Sequence, residues 1–280
     1  MRALPALSLL SLLSIALFSA CGGKQQGAEE PGHQASEGAG GEKSAWLNVE
    51  DDEGPSFDGD ALQAILGGEP RAPLPLNRER ARLGEADAEI TILFFSDLEC
   101  PYCAIAMRTI RELMERHPGK IRLYQLHFPL PSHIHADGAA RIAEAIRVEL
   151  GHAAFYEFIG QLNPDERRLS EPLIRELALG VGLSEEALDG ALDEYNYDDE
   201  VRGDAAIGRI IGLRGTPAAL LNGRLVPGAR PLADFEEVLR EELEITQKIR
   251  DLGVARGEEY RALVKHYFGS DGLLAMQGND

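Results

Sequence analysis

The stretch Glu89-Ile-Thr-Ile-Leu-Phe-Phe-Ser-Asp-Leu-Glu-Cys-Pro-Tyr-Cys103 constrains this chain more than any other. Its apolar run, Ile90 to Phe95, reads as a buried strand. The run stops at a polar turn that delivers Cys100-Pro-Tyr-Cys103. Beyond it, Ala104 to Arg116 has a helical rhythm, with Ile105, Ile110, Leu113 and Met114 mostly on one face. The first cysteine therefore stands where a strand becomes a helix, and the second lies one turn inside.

Three chemistries suit such a pair. Zinc asks for four protein ligands in a structural site, and only one CxxC is present. His127, His133 and His135 follow a different strand, and His133 and His135 are expected to point apart across a helix surface, so no metal site is expected. A structural disulfide across so short a loop constrains the unfolded chain little. The third chemistry is a redox-active dithiol. Unpaired N–H groups at a helix start stabilise a thiolate at Cys100, lowering its pKa by at most about 1.5. Pro101 suits the first helical position, having no N–H to lose. Cys103 is expected to be less exposed and to act as the resolving thiol, so exchange runs through a mixed disulfide at Cys100. The pair is its own redox centre and requires no diffusible cofactor.

Around this stretch the chain divides into four parts. Residues 1–20 carry Arg2, a short apolar segment and a small-residue break before Cys21, the pattern of a secretory signal peptide. Phe18-Ser-Ala-Cys21 resembles a lipoprotein cleavage site, which makes Cys21 the expected lipidation site and accounts for the odd cysteine of three. Residues 21–75 read as a flexible acidic and Pro-rich linker, with ten carboxylates against two lysines between Cys21 and Asp60. Within it, Asp60 to Gly67 suits a short helix. The main domain is expected over 76–245, with helices from about 138 to 212. There Ala139–Leu150 and His152–Leu162 make two helices, Ser170 and Ser184 cap two more, and Asp198–Ile211 makes a fifth. Asn222-Gly223 between apolar runs predicts a hairpin, and Pro231 opens a helix to about Arg250. Residues 246–280 form a helical extension of unassigned role. A net charge of −19 excludes a nucleic-acid phosphate track.

Strand, CPYC, a long helical stretch, then Gly215-Thr216-Pro217 and a hairpin resembles the DsbA-like thiol-disulfide oxidoreductases of bacterial envelopes. Phe94 to Cys100 and Phe128-Pro-Leu-Pro131 look like that family's flanks to the active site. The resemblance implies an α/β thioredoxin-like fold with an inserted α-helical subdomain. It also implies a cis Thr216–Pro217 bond facing the dithiol, with both residues forming the substrate-binding platform. Some members place a buried carboxylate beneath the dithiol on the first strand; the corresponding residue here is Leu93. Glu99, Pro101 and Tyr102 tune the pair, and Asp97 and Glu99 either substitute for that carboxylate or oppose the thiolate.

The expected protein is thus an envelope or periplasmic thiol-disulfide oxidoreductase, lipid-anchored through Cys21 and most readily an oxidant. It acts on exported proteins with thiols or disulfides and is reset by a membrane redox partner. Two alternatives stay open: a tethered reductase or isomerase, and a non-catalytic peptide-binding module on the same fold. His133 and His135 read as solvated loop residues that border the groove at most. Phe155 to Phe158 read as core of the helical insert, and Tyr195 to Glu200 as a polar helix junction.

Overall fold

The computed structural model describes residues 55–76, 80–162 and 168–275. The expected signal peptide, the expected lipidation site Cys21 and the acidic tract up to residue 54 lie outside the described residues.

In chain order the elements are α1 (Gly59–Leu66), β1 (Arg82–Leu83), β2 (Ile90–Ser96), α2 (Pro101–Arg116) and β3 (Ile121–His127). The helices α3 (Ala136–Leu162), α4 (Glu171–Gly180), α5 (Glu185–Asp193) and α6 (Asp198–Ile210) follow. The chain then makes β4 (Ala218–Leu221), β5 (Arg224–Pro227), α7 (Leu232–Asp251) and α8 (Glu259–Ala275). The five strands form one sheet in the order β1-β3-β2-β4-β5. β2 and β3 are parallel and need a crossover, which α2 supplies; β4 pairs antiparallel with β2.

Alternation along the strands divides the core in two. Ile90, Ile92 and Phe94 join Ile121, Leu123, Ala219 and Leu221 on the face packed by α2, α3 and α7. Leu93 and Phe95 join Tyr124, Leu126, Ala218 and Leu220 on the face packed by α6 and α8. With helices on both faces, β3 is buried throughout, including Arg122, Gln125 and His127. The buried guanidinium of Arg122 is held by Thr91 Oγ1 at 2.7 Å and by the Gly257 carbonyl at 3.2 Å.

The helical insert follows its sequence pattern closely. Gly151, at φ 86°, separates the two halves of α3, a conformation open to glycine at little cost. Ser184 Oγ accepts from the Ala187 N–H at 3.2 Å and caps α5, whereas Ser170 precedes α4 without making that bond. Asn222 and Gly223 both have positive φ and close the β4–β5 hairpin. A Cβ at Gly223 would lie 2.6 Å from the Pro73 nitrogen, so the segment crossing the turn requires glycine there.

Three expectations need correction. Ile105 lies off the buried face of α2, which consists of Cys103, Ala106, Ile110 and Leu113. The domain begins before residue 76. Asp58 caps α1 through the N–H groups of Asp60 and Ala61, and Leu62 and Leu66 are buried against Ile249, Val254, Ala262 and Leu263. Burying each such leucine contributes about 1.5–3 kcal/mol, enough to dock a short helix that would not persist alone. Residues 72–76 are also packed, with Leu74 and Leu76 in the core and Ala72 N donating to Gly223 O at 2.8 Å. The C-terminal helix is likewise part of the domain: Tyr260 and Val264 fill the core, and the Tyr260 hydroxyl donates to Leu74 O at 2.9 Å.

Candidate active site

Cys100 is the N-cap of α2, at φ −83° and ψ 118°, and Pro101 takes the first helical position. No side chain caps this helix, so its first N–H groups remain available to the sulfur. Cys103 lies one turn in, where its Sγ accepts from the Asp97 N–H at 3.4 Å. Both cysteines are free thiols and nearly equally buried, at 4% and 3% exposure. The expected difference in exposure is therefore slight, and what surrounds each sulfur separates them: hydrogen bonds hold Cys100 down while burial holds Cys103 up.

The Cys103 thiol donates to the Cys100 sulfur. With help from the amides of Cys103 and Tyr102 and from Thr216, this holds Cys100 down from an ordinary 9.0 to about 6, although burial opposes it. The drop exceeds what a helix start alone provides, because its largest cause is the neighbouring thiol. Burial pushes Cys103 strongly the other way, and the Cys100 sulfur adds to it. One thiol is thus ionised near neutral pH while the other keeps its proton.

Thr216 and Pro217 come to the same place. Their peptide bond is cis, and the Thr216 carbonyl lies 3.9 Å from Cys100 Sγ. Asp97 organises the opposite rim. Its Oδ1 accepts from the Glu99 N–H at 2.8 Å; its Oδ2 accepts from Leu130 N at 2.7 Å and lies 2.9 Å from His133 Nδ1. Partial burial works against protonation of His133, but the hydrogen bond and charge of Asp97, with Cys100 and Glu99 behind them, raise its pKa. Glu99 turns away to accept from His135 N at 2.7 Å, and Tyr102 stands exposed on the rim.

The site departs from the sequence reading in three ways. His133 and His135 sit in the turns before α3, as their loop reading expects and not across a helix surface, but they are bound into the active-site rim through Asp97 and Glu99 rather than left to solvent. Leu93 points to the sheet face away from α2, so the strand position matched to a carboxylate is not the one beside the dithiol. Gln125 is. It lines a cleft of about 450 Å³ beside Cys100 and Cys103, together with Arg108, Arg111 and Tyr156. Tyr156 adjoins the expected insert core of Phe155 and Phe158; its hydroxyl donates to Ala81 O at 3.0 Å, and Arg111 lies over its ring. A lone glutamine in a strand carries no signal; His133, two residues past Phe128-Pro-Leu-Pro131, gave a faint one.

A thioredoxin family model matches residues 77–241, more than half of the chain. The chain belongs to the thioredoxin family. Among solved thioredoxin-fold structures, it is similar to a thioredoxin-like oxidoreductase from Silicibacter pomeroyi DSS-3, with 24% identity, 66% of this chain and 97% of that one covered, and a TM-score of 0.53. A periplasmic thioredoxin-like protein from Salmonella enterica serovar Typhimurium has 23% identity over 68% of this chain and 99% of its own, with a TM-score of 0.51. The thiol-disulfide exchange protein alpha-DsbA2 from Wolbachia pipientis has 20% identity over 58% and 86%, with a TM-score of 0.50. At these identities the likeness establishes the fold: a thioredoxin sheet carrying a helical insertion. Among curated proteins, the chain is 26% identical over 154 residues to a Na(+)/H(+) antiporter NhaA 1 of Mycobacterium sp. (strain KMS). That match covers 54% of this chain and spans about a quarter of the relative, 25% of its length. No helix among the described residues is long and apolar enough to cross a membrane.

Proposed function

We propose that this chain catalyses thiol-disulfide exchange on exported proteins through Cys100 and Cys103, and that it works as an oxidant. The observation that carries the reading is the opposed ionisation of two neighbouring thiols, with Cys100 at about 6 and Cys103 raised far above it. In the oxidising direction a substrate thiolate attacks Cys100 Sγ of the intramolecular disulfide. The S–S bond breaks, Cys103 leaves as a thiolate and takes a proton, and a mixed disulfide remains at Cys100. A second substrate thiolate then attacks the substrate sulfur and expels Cys100. The stabilised Cys100 thiolate is a good leaving group, which favours release of the oxidised substrate.

The oxidant reading is supported by the same electrostatics. Stabilising the reduced pair makes the disulfide a stronger oxidant, and the Cys100 thiol is held well below its ordinary value. The main-chain groups at Thr216–Pro217 serve as the platform for an extended substrate segment, supported by the position of the Thr216 carbonyl at the sulfur. The envelope location, the lipid anchor at Cys21 and a membrane partner that reoxidises the dithiol complete the reading, and they rest on the sequence.

The test is a trap and a potential. Cys103→Ser is expected to accumulate mixed disulfides through Cys100 in cells; absence of adducts removes the exchange activity. Equilibration with glutathione is expected to place the pair between about −270 and −120 mV. A value at or below the thioredoxin end makes the protein a reductant.

A further inference from the structure

Exchange through Cys100 and Cys103, the activity proposed above and the one on which this inference rests, leaves a proton to be moved. Cys103 must lose its thiol proton before its sulfur can attack a mixed disulfide at Cys100, and burial holds that proton. Asp97 is badly placed to accept it. Its carboxylate is committed to Glu99 N, Leu130 N and His133, and it meets Cys103 Sγ through a main-chain N–H, which is a donor. Leu93 faces away from α2 and is apolar.

Gln125 occupies the remaining place. It is 1% exposed and lines the same cleft as both cysteines, yet neither its Oε1 nor its Nε2 meets a hydrogen-bonding partner in the protein. A buried amide that ties nothing together destabilises the fold it sits in, so its place is not explained by structure. The cleft is wide enough for water and reaches the surface between α2 and α3. The charged and titratable groups along it are Asp97 from the active-site loop, Arg108 and Arg111 from α2, and Tyr156 and Glu157 from α3.

We propose that Gln125 is a positioning residue for Cys103, its side-chain carbonyl holding a water in the cleft that takes the Cys103 proton as the sulfur attacks. In that step Cys103 Sγ–H gives its proton to the water, Sγ bonds to Cys100 Sγ, and the bond from Cys100 to the substrate sulfur breaks. The electron pair leaves with the substrate as a thiolate, and the proton passes along the cleft to solvent. The mixed disulfide itself supplies the oxidising equivalent. A neutral amide suits this position better than a carboxylate, because a fixed negative charge there would oppose the Cys100 thiolate.

The experiment uses the reduced full chain and an aromatic disulfide whose released thiolate is coloured. The first release reports attack by Cys100 and the second reports closure by Cys103, so the ratio of the two rates isolates the Cys103 step from any general loss of fold. In Gln125→Leu and in Gln125→Met that ratio is expected to fall about tenfold or more, within what proton transfer to a placed group contributes. Gln125→Glu is expected to restore it with a new pH dependence as the carboxyl titrates. A ratio unchanged in both apolar variants at every pH overturns the assignment. If the native protein shows no first release, the exchange activity fails instead.

Discussion

Two clusters of buried ionisable groups flank the end of β3, and they behave oppositely. At the dithiol, two like groups share one site and push each other's ionisation apart, leaving Cys100 at about 6. Below the insert, acids meet bases. Arg80 Nε donates to Asp204 Oδ1 at 2.9 Å, Asp204 Oδ2 accepts from His127 N at 3.0 Å, His127 Nε2 lies 3.1 Å from Glu144 Oε1, and Arg147 Nε donates to Glu144 Oε2 at 2.7 Å. Burial works against the Glu144 charge, but His127 and Arg147 hold its pKa down to about 2. Pairing opposite charges moves the Glu144 titration out of the working range, although burial still raises Asp204 against the pull of Arg80, and it fastens α3 and α6 to the sheet. Pairing like groups moves one titration into that range and makes a reagent.

The contrast breaks most sharply if a member of each cluster is removed. Cys100→Ser is expected to abolish exchange in an insulin-type disulfide assay while leaving the melting temperature nearly unchanged. Arg80→Met should do the reverse. It strands the Asp204 carboxylate in the core at a cost of about 3–5 kcal/mol, measured by denaturant unfolding, and Arg80→Met with Asp204→Leu should recover most of it. A single variant that loses both properties would show the clusters to be one system.

A pH series sharpens the same comparison. Glu144 has a depressed folded pKa, so its contribution is full above about 4.5 and is lost as pH falls towards about 2. That contribution is on the order of 3 kcal/mol, and Glu144→Gln should flatten this part of the stability curve. Alkylation of Cys100 should follow a midpoint near 6 and stay fast through neutral pH. The smallest effect is expected for His133→Ala. Removing an imidazolium from the rim should raise that midpoint by roughly half a unit, because the pair interacts through partly solvated space. No movement would place His133 outside the electrostatics of the dithiol.

What could be read from the sequence was local. The strand leading to Cys100, Pro101 at the first helical turn, Ser184 as a cap and Asn222-Gly223 as a turn each depend on neighbours within a few residues. The features that escaped depend on residues far apart in the chain. Leu62 and Leu66 read as part of a short helix within the linker, and its docking shows only once Ile249 and Leu263 supply the partners. Ile105 fits a helical period but falls on the wrong side of the buried arc. Gln125 differs from a surface glutamine only in what covers it, and the helix that covers it, α3, begins later in the chain.

The docking of α1 has a geometric consequence. Glu89, at the start of β2, pairs with Arg250 at 2.8 Å, and Arg250 pairs with Glu259 at 2.9 Å, so the α1–α7–α8 cluster sits by the strand's first residue. The sulfurs lie beyond its last. Seven residues of strand separate the two poles by about 20 Å. Lys265 fixes Pro55 at that lower pole through its carbonyl. Pro55 therefore meets the domain at its base, at the far end of β2 from the sulfurs.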